Sequence, residues 1–175
     1  MKFRGLGICA VAVLVLAGVP AAGQSTALGP GGTFFDDDRR PAESAIEALV
    51  ANQITTGCGS NIFCPTGSVT RGQAATFLAR AMKLAPASAV NAFPDLIPTA
   101  YYTGSVNRLA ELGLITGYPD GTFRPESAVS RAEMAALLVR ATGLEPAIVS
   151  GSFTDVPADA WFAPYVEALR TAGIT

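Results

Sequence analysis

The sequence predicts an all-α protein assembled from copies of one helix-loop-helix unit. Three observations carry that expectation. The chain matches itself at an offset of 60 residues, two of the matched segments open on the same helix-start motif, and apolar residues follow each start at helical spacing. The elements are taken in chain order.

The first element is a leader. Met1 to Arg4 carry two positive charges, Gly5 to Val19 is apolar and uncharged, and Pro20-Ala21-Ala22-Gly23 offers the small residues of a cleavage site. Residues 1–23 are therefore read as a secretory signal peptide cut after Ala22 or Gly23. Its 15 apolar residues fall short of a membrane span, since a helix needs about 20 to cross a bilayer. A short Gly-rich linker, 24–33, follows, and no membrane contact is expected after cleavage.

Residues 34–91 form the first unit. It opens with Phe35-x-Asp37, displaced by two residues from strict register. Ile54-Thr55-Thr56-Gly57, Phe63-x-Pro65 and Val69-Thr70-Arg71 then recur at the 60-residue offset as Leu114-Ile115-Thr116-Gly117, Phe123-x-Pro125 and Val129-Ser130-Arg131. Thr70-x-x-Gln73 is a capping box, whose side chains satisfy the orphan N–H groups of a first turn. It predicts a helix from Arg71 to Met82 with Ala74, Phe77, Leu78 and Ala81 on the core face. Of three cysteines, Cys9 leaves with the leader, so Cys58 and Cys64 remain as an even pair. Export to an oxidising compartment predicts a disulfide between them across a short glycine-flanked loop. Zinc is the weaker alternative, because the chain has no His and two thiolates do not complete a tetrahedral site.

Residues 92–151 form the second unit. Phe93-x-Asp95 and the pair Tyr101-Tyr102 lead into an apolar-periodic segment to Leu112, which Gly113 terminates. Tyr118-Pro119-Asp120-Gly121 has turn chemistry. The capping box Ser130-x-x-Glu133 then starts a helix from Arg131 to Thr142, with Met134, Leu137, Leu138 and Ala141 as core. Residues 152–175 begin a third unit with Phe153-x-Asp155, Trp161-Phe162, Val166, Leu169 and Gly173. By this count the third unit is cut short before its loop and second helix. Helices of this length are marginal alone, so stability is expected from packing between neighbouring units.

Composition narrows the function. A net charge of −2 and a pI near 5.1 argue against nucleic acid or an anionic membrane gathered by bulk electrostatics. A His-based triad is impossible, no Gly-rich phosphate loop with a Lys is present, and Asp36-Asp37-Asp38 lacks the alternating spacing of a calcium loop. No pair of carboxylates stands out for glycoside hydrolysis. The chain is read as a non-enzyme with no metal and no cofactor.

Phe-x-Asp, the aromatic pair, Leu114-Ile115-Thr116-Gly117-Tyr118-Pro119-Asp120-Gly121-Thr122-Phe123-Arg124-Pro125 and Ser130-Arg131-Ala132-Glu133 together resemble S-layer homology repeats. The resemblance covers about residues 34–175. It implies repeats packed as a three-pronged spindle around a central helical bundle, here truncated. It also implies secretion to the cell surface and non-covalent anchoring through cell-wall polysaccharide, often a pyruvylated secondary polymer. The family's groove residues carry over to Arg71 and Arg131, to Gly57 and Gly117, and to Asp37, Asp95 and Asp155. The first unit departs from the pattern, with Arg71-Gly72-Gln73 for Arg-Ala-Glu and Cys58-Gly59-Ser60-Asn61 for Tyr-Pro-Asp-Gly.

Physical chemistry gives those arginines a purpose. A cation just after an N-cap is disfavoured by about 0.3–1 kcal/mol, so helix stability alone does not choose Arg71 or Arg131. Beside free N–H groups, a guanidinium makes a local site for a carboxylate-bearing glycan. Pairing with a nearby Asp or Glu is the competing role. Tyr101, Tyr118 and Trp161 suit stacking on sugar faces or anchoring a core, while Asp95 and Asp155 suit turn or helix caps. Two further roles stay open from the residues: an envelope assembly protein that binds other protein subunits, and the wall-targeting part of a larger secreted hydrolase.

Overall fold

The computed structural model describes residues 32–87 and 91–175. The leader lies outside them, as does most of the linker. Five α-helices are present among the described residues: α1 Glu43–Ala51, α2 Arg71–Ala81, α3 Thr103–Glu111, α4 Arg131–Thr142 and α5 Ala163–Thr171. No strand is present there; two isolated bridges, Gly59 with Ile62 and Thr70 with Ala128, are the extended pairing. The all-helical expectation holds, and no described helix is long and apolar enough to cross a membrane.

Both capping boxes form as the sequence predicts. The Thr70 hydroxyl accepts from Gln73 N and the Ser130 hydroxyl from Glu133 N, and the Gln73 and Glu133 side chains reach back to the cap N–H groups. At the other end of α4, Gly143 takes the left-handed conformation that closes a helix. The first helices of each unit, α1, α3 and α5, begin instead on Ala42, Tyr102 and Phe162, without a side-chain cap.

The helices pair between units. The second helix of one unit packs on the first helix of the next, α2 on α3 and α4 on α5. The larger core lies at the first of these seams. Ala75 and Ala79 of α2 meet Leu96, Tyr102, Val106 and Leu109 in and before α3, and Ile115 and Phe123 of the following loop close it. Ala135 and Val139 of α4 meet Ala168 and Leu169 of α5 in the same way.

This corrects the expected core face except at Ala74, which is buried as expected. The deepest positions are Ala74, Ala75 and Ala79 in α2 and Ala135, Ala136 and Val139 in α4. Phe77, Leu78, Met134, Leu137 and Leu138 are half-buried, with Leu78, Leu137 and Leu138 packed against the cores from the side. Small residues on the contact line let the helix axes approach closely, and the larger side chains then cover the flanks.

Candidate functional site

The seam between units 1 and 2 gathers most of the polar chemistry. The start of α2 sits in a cradle made by the loop of unit 2. Arg71 N donates to Ser127 O at 2.9 Å and Gly72 N to Pro125 O at 2.8 Å. The Arg71 guanidinium donates from Nε to Phe123 O at 2.7 Å, from Nη1 to Glu133 Oε1 at 2.6 Å, and from Nη2 to Thr116 O at 3.5 Å. Its face lies 4.7 Å from the Tyr118 ring centre and 4.6 Å from that of Phe123. Arg71 is 8% exposed. The N–H groups at this helix start are thus taken by loop carbonyls, which corrects the expectation that they stand free beside the arginine.

Glu133 is the hub of the cradle. Besides Arg71, it accepts from Ser130 N, the Ser130 hydroxyl and the Tyr118 hydroxyl, each at 2.8 Å. Burial pushes its carboxyl upward, but these donors and the Arg71 charge outweigh burial and hold it below its ordinary value of 4.5. The Tyr118 hydroxyl is held above its ordinary value, first by its bond to Glu133 and then by burial.

In front of the cradle opens a cleft of about 310 Å³ whose lining includes Arg71, Gly117, Tyr118, Glu133, Arg140 and Trp161. Arg71 and Glu133 offset each other in charge. Arg140 is different: its Nη2 bonds the Tyr165 hydroxyl at 3.3 Å and its guanidinium lies 5.3 Å from that ring, with no carboxylate paired to it among the described residues. Trp161, 59% exposed, stands at the cleft with its ring edge-on to Phe162 and Tyr165. One uncancelled cation next to an exposed indole is an arrangement that suits an acidic sugar.

The other sequence-selected residues fall in three groups. Gly57 and Gly117 are close-approach positions: a Cβ on Gly117 would come within 2.7 Å of the Phe93 ring and of Thr122 O, and one on Gly57 would meet Phe34 and Ile62 O. Asp95 caps the loop, accepting from Phe123 N at 2.9 Å and Arg124 N at 2.7 Å. In unit 1 that part is played by Asp36, which accepts from Phe63 N and Cys64 N at 2.8 Å. Phe34 packs on Phe63 as Phe93 packs on Phe123. The structural register is therefore Phe34-x-Asp36, and the carry-over to Asp37 is corrected. Asp37 is buried with both carboxylate oxygens unpartnered among the described residues, and burial, then Glu47 and Glu43, push its carboxyl up.

Asp155 and Arg131 are exposed, make no described side-chain bond and are not among the residues that line the cleft. The disulfide joins Cys58 to Cys64, with Cα atoms 6.1 Å apart. These two positions match Tyr118 and Arg124 of unit 2 at the 60-residue offset. There a guanidinium over the Tyr118 ring, at 4.2 Å, closes the same loop without a covalent bond. Glu133 and Arg140 are the site residues that sequence reasoning misses. Glu133 is visible as a cap and Arg140 as a duplicate of Arg80, but neither pattern shows that they face Arg71 and Trp161.

A pH dependence follows. A carboxyl whose folded-state value is lowered stabilises the fold above its unfolded value and loses that contribution as pH falls through the folded one. The stability gap between the wild-type chain and Glu133→Gln is expected to be full at pH 7. It should shrink as pH drops below about 4.5. Thermal melts of both chains between about pH 7 and pH 2.5 measure it, and a gap that widens in acid would contradict the cradle's electrostatics.

Comparison with known proteins agrees with this duplicated arrangement. The family model for the S-layer homology domain matches residues 35–75, 92–135 and 152–175. The chain is 29% identical over 110 residues to the middle cell wall protein of Brevibacillus brevis, covering 61% of this chain and 10% of that protein. It is 34% identical over 137 residues to the cellulosome-anchoring protein of Acetivibrio thermocellus, covering 74% of this chain and 30% of the relative. An endoglucanase of a Bacillus species is 33% identical over 126 residues, covering 70% of this chain and 13% of the enzyme. The chain thus spans from a tenth to under a third of the length of these relatives.

Proposed function

Because this chain belongs to the S-layer homology domain family, we propose that it is an exported, non-catalytic module that fastens a protein to the bacterial cell surface. Its ligand in this reading is an acidic cell-wall polysaccharide of the pyruvylated type, and its site is the seam cleft. Residues 1–23 serve as the leader. Relatives described as a cell wall protein and as a cellulosome-anchoring protein support the anchoring role.

The observation that carries the choice of ligand is the cleft itself. Arg140 supplies an uncancelled positive charge, and the exposed Trp161 supplies a ring face on which a pyranose packs. Arg71 belongs to the site mainly as a positioning residue. Its guanidinium is already engaged with Glu133 and two carbonyls, so it shapes the wall of the cleft and fixes Tyr118.

Co-sedimentation with purified walls tests this. Arg140→Ala and Trp161→Ala are each expected to weaken wall binding about tenfold or more, the loss of about 1.4 kcal/mol, with the circular dichroism spectrum unchanged. Walls from which the acidic polymer has been extracted should no longer retain the wild-type chain. Full retention on extracted walls would favour the second reading, an envelope assembly protein that recognises other protein subunits.

A further inference from the structure

Arg140 and Trp161, the two cleft groups best suited to an acidic sugar, come from different elements: the last turn of α4 and the residue before the cap of α5. One side chain touches both. The Tyr165 hydroxyl accepts from Arg140 Nη2 at 3.3 Å, and its ring centre lies 5.3 Å from the Arg140 guanidinium. The same ring stands 6.3 Å from that of Trp161, with the planes at 64°. Tyr165 is itself well anchored. It lies in the first turn of α5, its N–H donates to Phe162 O at 3.0 Å, and it packs against the core of Ala135, Val139, Ala168 and Leu169 that joins α4 to α5. It is not among the residues that line the cleft.

The repeat supplies an internal comparison. At the 60-residue offset, Arg140, Trp161 and Tyr165 match Arg80, Tyr101 and Ser105. Ser105 is buried and carries no ring, and Arg80 makes no described bond to it. Arg80 turns onto the main chain instead, where its Nη1 donates to Ile54 O at 3.2 Å. Arg140 makes no described bond to Leu114 O, the matching carbonyl. The two arginines hold the same place on their helices, so what separates them is the partner that the following helix offers.

We propose that Tyr165 is the positioning residue of the cleft: it holds the Arg140 guanidinium in a fixed relation to the Trp161 ring before any ligand arrives. This deepens the glycan reading of the cleft and rests on it. Ordering one long side chain only at the moment of binding would weaken affinity by about three- to tenfold. The benefit falls on an acidic sugar, since a neutral one does not use the cation.

Tyr165→Phe removes the hydroxyl and keeps the ring, and two measurements on the whole chain read the result. Quenching of the single tryptophan by iodide, relative to neutral acrylamide, reports the positive charge held beside Trp161. The iodide preference should fall toward that of Arg140→Ala, with acrylamide quenching as in wild type. Affinity for a pyruvylated wall saccharide should fall about three- to tenfold in Tyr165→Phe. Affinity for the same saccharide stripped of its ketals by mild acid should not change, and in an Arg140→Ala background the substitution should cost nothing further. A purely structural role would shift both saccharides alike, in either background. An iodide preference or an acidic-saccharide affinity left at the wild-type level in Tyr165→Phe, or an equal loss with and without Arg140, would overturn the inference. If the iodide effect appears while the wild-type chain binds neither saccharide, Tyr165 holds the pair as proposed and the glycan reading alone fails.

Discussion

Replacing Arg71 by Met is expected to destabilise the chain by about 3–5 kcal/mol, the usual result of removing one partner from a buried ion pair. The size follows from what is left behind. Glu133 would keep its donors from Ser130 and Tyr118 but lose the charge that offsets its own in a half-buried setting. Phe123 O, inside the seam, would lose its donor. The double variant Arg71→Met with Glu133→Leu should recover a good part of the loss, since the uncompensated carboxylate is gone. Urea midpoints for the two single variants and the double variant close the cycle. A loss below about 1 kcal/mol for Arg71→Met, the level of an exposed surface pair, would mean that the cradle contributes little. One practical consequence concerns wall binding: an Arg71 variant that fails to bind shows only that the seam is damaged, so the ligand contact has to be tested at Arg140 and Trp161.

Asp95→Ala is expected to cost about 3 kcal/mol, because it removes two hydrogen bonds to a charged acceptor, each worth about 1.5–3 kcal/mol, and leaves Phe123 N without a partner. Those bonds tie the turn before α3 to the loop that receives Arg71, so the loss should spread to the seam. Asp36→Ala removes the same two bonds in unit 1, yet its effect should be smaller. The Cys58–Cys64 bridge closes that loop covalently, and a disulfide over a loop this short is worth about 2 kcal/mol. Reduction should therefore deepen the defect of Asp36→Ala and leave that of Asp95→Ala nearly unchanged. Melting temperatures of both variants with and without reductant decide it; equal losses in oxidised protein would show that the bridge does not substitute for the carboxylate.

Local signals are legible in the chain itself. Thr70-x-x-Gln73 and Ser130-x-x-Glu133 set the starts of α2 and α4 to the residue, Gly113 follows the end of α3, and the pair Cys58 and Cys64 forms the bridge. The 60-residue offset marks out the units. What escapes a reading of the residues depends on contacts that cross from one unit into the next. Arg71 meets Phe123 O and Glu133, 52 and 62 residues away, and a backbone carbonyl carries no side-chain signature. The core face differs from expectation because Ala75 and Ala79 are weak apolar signals beside Phe77 and Leu78, although small size is what the close helix crossing requires. The register of Phe34-x-Asp36 is ambiguous in sequence because Phe35 and Asp37 offer the same spacing one residue later. Only the ring contact with Phe63 and the bonds from Phe63 N and Cys64 N separate the two.

Trp161 is the one tryptophan of the chain and stands at the cleft, so its emission reports the site directly. Titration of the wild-type chain with a purified pyruvylated wall saccharide should give a saturable change in tryptophan fluorescence, with the midpoint moved at least about tenfold higher in Arg140→Ala. Saccharide that holds the chain on walls while the Trp161 signal stays flat would place the binding elsewhere and contradict the seam cleft as the glycan site.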